Sequence, residues 1–402
     1  MSRIRLALLS TALIIIAAAC WWYRPWSTYS PSVMTTLLHP DYRLQNFRSM
    51  ENVFPYRVVP ASSNPFVFAR ADGSLPPAFT HEGRIISTEE FLKRTETTGL
   101  TVLHNGVQAL ENYYQAADAS DRFTSWSVAK SVVGMLTAIA VERGDINSID
   151  DPVKQYVKEL DGKAWGEVPI RDLLRMASGI RFSEIYDQQF SDINMLFYRT
   201  FLLGEPVREV IADLPAARAP GEVFHYISPN TQILAWVLES ATGKPVSEYA
   251  AEALWQPLGM QDEAIWSLDQ SGVELGFCCL NITLRDYAKL GQLYLQQGVW
   301  RNRQLLPAGW VREATRRPEP WLAAGNGYPE RGYGYHLWVP KDPDQEYFFN
   351  GVWGQTVWVS EKHQVVIAKT SVDPLFREHM AEVISFMRAV SAHAAAGSVN
   401  PD

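Results

Sequence analysis

The stretch FTSWSVAKSVVGMLTAIAVERG, residues 123–144, decides how the rest of the chain is read. The part SVAKSVVGMLTAIAVERG predicts a helix that is apolar nearly all round. Such a helix belongs at the centre of a globule, with Gly144 closing its C-terminal end. Ser127 and Lys130 stand three residues apart at its start and therefore share a face. The helix N-terminus carries positive potential, which favours an alkoxide or oxyanion and opposes an ammonium. A buried lysine at that place is driven toward its neutral form. Starting from an ordinary pKa of ~10.4, each tenfold gain in acidity costs about 1.4 kcal/mol, and burial supplies several such steps. A neutral lysine can take the serine proton and so activate a nucleophile without any histidine. Ser-x-x-Lys is by itself a weak pattern, and an ordinary helix start with a surface lysine is the plain alternative. The apolar residues that follow are what separate the two.

Working outward, TGLTVLHNGVQALENYY reads as a hairpin, with Asn105-Gly106 suited to a type I′ turn. DDPVKQYV predicts a helix capped by Asp151 with Pro152 in its first turn, and IRDLLRMASGI a short helix ending at Ser178-Gly179. TQILAWVLESATGKPVSEYAAEALWQPLGM reads as two helices broken at Gly243-Lys244-Pro245, and LRDYAKLGQLYLQQG as one amphipathic helix. QTVWVSEKHQVVIAKTSV predicts two strands joined by a polar turn, and FREHMAEVISFMRAVSAHAAA a final helix. Strands, a long helical middle, strands and a last helix make an α+β plan: an antiparallel β-sheet flanked by helices, plus a helical lobe, with a cleft between them.

The chain has 402 residues, 47% of them hydrophobic, which is enough for a large core. A net charge of -8 argues against nucleic acid as a partner. The opening MSRIRLALLSTALIIIAAACWWYRPW has two arginines, an apolar run from Leu6 to Ala19, then Cys20 and an aromatic group. This layout predicts a secretion signal or membrane anchor over residues 1–26, placing the bulk of the chain on the periplasmic side of a cell envelope. AAAC also leaves open lipidation at Cys20. Residues 27–84 read as a membrane-proximal linker and N-terminal extension that wraps onto the body, 85–395 as the main domain and 396–402 as a tail. The adjacent Cys278 and Cys279 read as two small buried residues in a tight segment, with a strained vicinal disulfide as the rarer alternative, and nothing in the spacing of Cys and His points to a metal.

Two further stretches carry chemistry. In GEVFHYISPNTQILAWVLESATG, Tyr226 precedes a helix opening near Asn230 or Thr231. A phenol beside a lysine serves as proton shuttle or as the charged partner that tunes it. In YFFNGVWGQTVWVSEKHQVV, two glycines lead into a strand, where glycine permits close backbone approach and a strand N–H can join the Ser127 N–H as an oxyanion hole. An ordinary half-buried tyrosine and a glycine bend are the plain alternatives.

Together, SWSVAKS, DDPVKQYVKEL, IRDLLRMASGI, FHYISPNTQILAWVLESATG, LRDYAKLG and NGVWGQTVWV resemble the serine β-lactamase and penicillin-binding protein superfamily. The likeness, from about residue 85 to 395, is greatest to its esterase and amidase branch of aminohexanoate-dimer hydrolases and class C-like carboxylesterases. The resemblance implies a β-lactamase/transpeptidase-like fold, Ser127 as the acylated nucleophile, Lys130 as its base and Tyr226 as proton relay. It implies an oxyanion hole from the Ser127 and Val352 N–H groups, and substrate contacts from Tyr186, Asp192, Asn350 and Gly351. No metal or organic cofactor is implied, and the partner is a small ester or amide. Two departures stand out. Ser228 replaces the asparagine of penicillin-recognising members, and Phe349 replaces the lysine or histidine that opens their third motif. Both favour a neutral ester or amide over a penicillin or cell-wall peptide. A β-lactamase or D-alanyl peptidase, and a non-catalytic sensor on the same fold, are the rival readings. The sequence leaves the oligomeric state open.

Overall fold

Thr97–His104 (β1) and Val107–Tyr113 (β2) form the expected hairpin, turning at Asn105 and Gly106, whose φ angles of 50° and 75° are both positive as a type I′ turn requires. From the far end of the chain come Arg331–Tyr333 (β3), Trp338–Pro340 (β4), Glu346–Gly351 (β5), Gln355–Ser360 (β6) and Val365–Ser371 (β7). They complete one seven-stranded antiparallel sheet of order β3-β4-β5-β6-β7-β1-β2. Opening and closing strands thus share a sheet, β7 against β1. This computed structural model describes residues 3–24, 30–317 and 319–397. The ends of the predicted anchor and most of the tail lie outside that range.

The period of two along each strand sends alternate side chains to opposite faces. Val102, Phe348, Trp358 and Ile367 pack with the C-terminal helix, while Leu103, Phe349, Val357 and Val366 join the larger core on the other face. Five helices matter to the site and its surroundings: Arg3–Tyr23 (α1), Val128–Arg143 (α2), Ser228–Thr242 (α3), Leu284–Leu295 (α4) and Met380–Gly397 (α5). α5 covers the first face of the sheet and α4 the second. α2 is buried from Val128 to Ala140 and ends at Gly144 with φ 82°. It lies between the sheet and α3, which belongs to the helical lobe.

Two expectations are corrected. DDPVKQYV forms only a short 3-10 turn, Val153–Gln155. Pro152 is extended and bridges Pro169, and the Asp151 carboxylate accepts from Ser148 N and the Tyr156 hydroxyl instead of capping a helix. Cys278 and Cys279 are buried, as expected, but bonded to each other. Their burial in a tight segment with Cys279 at φ 67° brings adjacent sulfurs together.

Among the described residues one helix, α1, is long and apolar enough to cross a membrane, and none of it is buried. The extension after it is no loose tether. Phe47, Met50, Val53 and Phe54 are core residues, and Tyr56–Val59 pairs with Ala264–Ser267 in a second, four-stranded sheet.

LRDYAKLG proves to be an anchoring motif. Asp286 and Lys289 on α4 form an ion pair at 2.9 Å with both side chains out of solvent. Asp286 also accepts from the N–H groups of Gln261 and Asp262, and Lys289 donates to the Gly259 carbonyl. The pair ties α4 to the loop that follows the helical lobe. Removing the cation leaves a buried carboxylate, and Lys289→Met is expected to cost about 3 kcal/mol or more of unfolding free energy in a urea titration. A loss under about 1 kcal/mol, the scale of exposed pairs, shows the pair dispensable.

Candidate active site

The start of α2 is set by its neighbours. Trp126 takes a left-handed backbone, φ 44°, and Ser127 follows at the helix N-cap. The Ser127 side chain makes no cap bond; with the residue only 8% exposed, its Oγ meets Lys130 instead. Lys130 is 1% exposed. Its Nζ donates to Ser127 Oγ at 3.0 Å, Ser228 Oγ at 3.1 Å and the Phe277 carbonyl at 2.8 Å. Three acceptors therefore meet the three hydrogens of an ammonium. Burial nevertheless pulls the lysine down to about 8, against the opposing pull of the Glu184 carboxylate. The Phe277 carbonyl immediately precedes the Cys278–Cys279 pair, so that segment backs the lysine.

Glu184 is the residue that sequence reading missed. Its Oε1 accepts from the hydroxyls of Ser228 (2.6 Å) and Tyr186 (2.7 Å), and its Oε2 from the Ser228 N–H (2.9 Å). A continuous chain of bonds runs Lys130–Ser228–Glu184–Tyr186. The departure at Ser228 thus links the lysine to a carboxylate on a different segment. The one signal in the sequence was that Glu184 lies in SEIYDQQFSD, two residues before Tyr186.

Tyr226 stands just before α3, stacked on Trp338 with ring centroids 5.3 Å apart and edge-on to Tyr333. The Lys130 Nζ lies 5.3 Å from its ring centre. Burial, then Glu184, holds the phenol well above its ordinary value, so it is a neutral O–H rather than a phenolate partner to the lysine. His336 packs nearby and is pushed down to about 3 by burial, with Lys130 adding to the effect. Its ring bonds the Leu174 carbonyl and the Thr231 hydroxyl, which makes it a neutral strut. Arg331, also absent from the sequence reading, lies buried over the rings of Tyr328 (4.5 Å) and Trp338 (4.2 Å).

The end of β5 faces Ser127. A Cβ on Gly351 would lie 2.4 Å from the Ser125 carbonyl and 3.2 Å from the Ser127 N, so only glycine lets the strand approach the helix start. The requirement is strand-to-helix contact as much as substrate approach. Val352 follows, then Trp353 with φ 64°. The Trp353 carbonyl accepts from Ser371 Oγ (2.8 Å), Gln355 Nε2 (3.2 Å) and the Asp373 N–H (3.2 Å), which pins the strained turn. Phe47, from the N-terminal extension, packs edge-on against both Trp126 (5.1 Å) and Trp353 (5.5 Å).

Ser127, Tyr186, Tyr226, Asn350 and Val352 all line one recess of about 140 Å³, together with Glu184, Arg331 and Trp338. The buried Asn350 Oδ1 has no protein partner among the described residues and is free to accept from a ligand. Asp192 is placed differently: its carboxylate accepts from the Ser183 N–H at 2.8 Å and is not part of the recess wall. Phe349 turns into the core against Tyr294 and presents no charge to the site.

The architecture is the β-lactamase-like fold. A solved putative 6-aminohexanoate-dimer hydrolase from Bacillus anthracis superposes with a TM-score of 0.81 over 89% of this chain and 95% of its own, at 24% identity. EstCE1, a hydrolase with promiscuous acyltransferase activity, superposes with a TM-score of 0.60 over 76% of this chain and 96% of its own, at 16% identity. The sequence model of the Beta-lactamase family matches residues 88–379, and the chain belongs to that family. A 6-aminohexanoate-dimer hydrolase from Paenarthrobacter ureafaciens is 29% identical over 302 residues, 72% of this chain and 76% of the relative. Esterase EstB from Burkholderia gladioli is 32% identical over 146 residues, 34% of this chain and 36% of the relative. The chain is a serine-type hydrolase.

Gly351→Ala drives a methyl group into the Ser125 carbonyl and against the Ser127 N, forcing the strand end away from the helix start. We expect turnover to fall about 100-fold, the scale of losing one oxyanion donor, with the circular dichroism spectrum unchanged. Full turnover in this variant overturns the need for that close approach.

Proposed function

We propose that the protein cleaves ester or amide bonds of small substrates through an acyl-enzyme on Ser127. The observation that carries this reading is the Lys130 amine, buried, 3.0 Å from Ser127 Oγ and brought down to about 8. Neutral Lys130 takes the Ser127 proton as Oγ attacks the carbonyl carbon, and the carbonyl oxygen gathers charge at the Ser127 and Val352 N–H groups. Collapse expels the alcohol or amine, which takes a proton from Tyr226, itself resupplied by Lys130. Water then attacks the acyl carbon, the same two groups move its proton, and the acid leaves with Ser127 restored. Ser228 and Glu184 stabilise the lysine as it becomes charged. Asn350 accepts from a substrate N–H where there is one. The 6-aminohexanoate dimer for which two of the relatives are named, and the esterase activity for which another is named, both fit this scheme. With Phe349 in the core, the recess lacks the lysine or histidine that holds a penicillin carboxylate in penicillin-recognising members. We further propose that α1 is a signal or anchor that places the enzyme on the periplasmic side of the membrane.

The test is a fluorophosphonate probe with a panel of p-nitrophenyl esters, aminohexanoate dimer and a chromogenic cephalosporin. We expect labelling and turnover in the full chain and neither in Ser127→Ala. An unlabelled, silent wild type favours a sensor, and fast cephalosporin turnover favours a β-lactamase. The pH profile gives a second test. Only the neutral lysine can act as base, so kcat/KM rises with pH and levels off above about 8. Glu184 opposes the lowering of that value. Glu184→Gln therefore moves the rising limb to lower pH; a limb that stays in place removes Glu184 from the scheme.

A further inference from the structure

Beside the catalytic recess lies a second cavity of about 280 Å³ with an apolar wall. Tyr186 and Val352 line both spaces, so the two adjoin across these residues. The division of the other residues gives the chamber a direction. Tyr226, Trp338 and Arg331 line the recess alone, whereas Trp126, Phe54 and Phe197 line the chamber alone. In the scheme above Tyr226 protonates the leaving group, which therefore departs on the Tyr226 side. The chamber runs from Val352 on the other side, where the acyl portion extends. Its one amide side chain, Asn194, spends its N–H groups on the Tyr186 and Gln188 carbonyls and so presents no free donor.

The wall is assembled from distant pieces. Met34 to Leu38 and Phe54 come from the extension that follows α1, ahead of the residues matched by the family model. Asn194 to Leu202 come from the helical lobe, and Trp126 and Trp353 flank the two N–H groups that face the reacting carbonyl. Leu38 is 48% exposed and Tyr198 46%, which places the mouth between the extension and the lobe.

We propose that this chamber binds the acyl chain of the substrate, so that the enzyme acts on esters or amides of unbranched fatty acids in preference to acetyl compounds. The proposal rests on the serine-hydrolase reading above and adds the substrate class. Each methylene that enters an apolar wall gains about 0.8 kcal/mol.

The experiment measures kcat/KM of the full chain on p-nitrophenyl esters from acetate to dodecanoate. The expected result is a rise of about fourfold per methylene until the chamber is full, then a plateau. Leu202→Trp fills the chamber and is expected to lower the octanoate-to-acetate ratio of kcat/KM about tenfold or more, the burial of roughly two methylenes. Leu38→Trp at the exposed rim, a position where a bulky residue leaves the core untouched, is expected to lower the same ratio. Acetate turnover that depends on Ser127, with no dependence on chain length, overturns the chamber and leaves the mechanism standing. A ratio unchanged in both variants also overturns it. Silence on every ester, acetate included, removes the mechanism itself.

Discussion

The amino group of Lys130 sits where a cation is costly. It is enclosed by α2, α3 and the segment around Phe277, and the acceptors it reaches are two hydroxyls and one carbonyl, none of them charged. The nearest balancing charge, Glu184, acts through Ser228 and not by direct contact. That indirectness is what the proposed chemistry needs. A carboxylate in contact would hold the lysine charged, and no carboxylate at all would drive it fully neutral and weaken it as a base. A value of about 8 lies between these limits.

The other half of the site depends on two strained tryptophans. Trp126 precedes Ser127 and Trp353 follows Val352, and both adopt left-handed backbone that costs a non-glycine residue about 1–3 kcal/mol. Tertiary contacts must hold them there. Three hydrogen bonds pin the Trp353 carbonyl, and Phe47 wedges against both rings. Arg43 adds its guanidinium over Trp353 while pairing with Glu96. The N-terminal extension is therefore part of the site's support, although the family model begins only at residue 88.

The two departures from the penicillin-recognising pattern have separate consequences. Ser228 adds a link to Glu184. Phe349 removes a charge by turning into the core beside Tyr294. Arg331 does supply a cation to the recess, with its guanidinium held over the rings of Tyr328 and Trp338, the second of which also stacks on Tyr226.

Local pattern carried the sequence reading a long way. The hairpin at Asn105-Gly106, the central helix closed by Gly144, the amphipathic α4 and the α+β order follow from periodicity and turn chemistry, which act within a few residues. The spacing of Ser127 and Lys130 is likewise local, since one helical turn brings them together. Where two influences competed, local signals misled: Asp151 and Pro152 read as a helix start, but a bridge to Pro169 and the Tyr156 hydroxyl claimed them. What only the tertiary structure decided are the contacts between segments far apart in the chain. Glu184 reaches Lys130 through Ser228, Gly351 meets Ser125, Phe47 joins two tryptophans from opposite ends of the domain, and the extension roofs an apolar chamber. Residue type and spacing record which groups can react. Packing fixes which groups meet, because burial and desolvation act through space and leave no period in the chain.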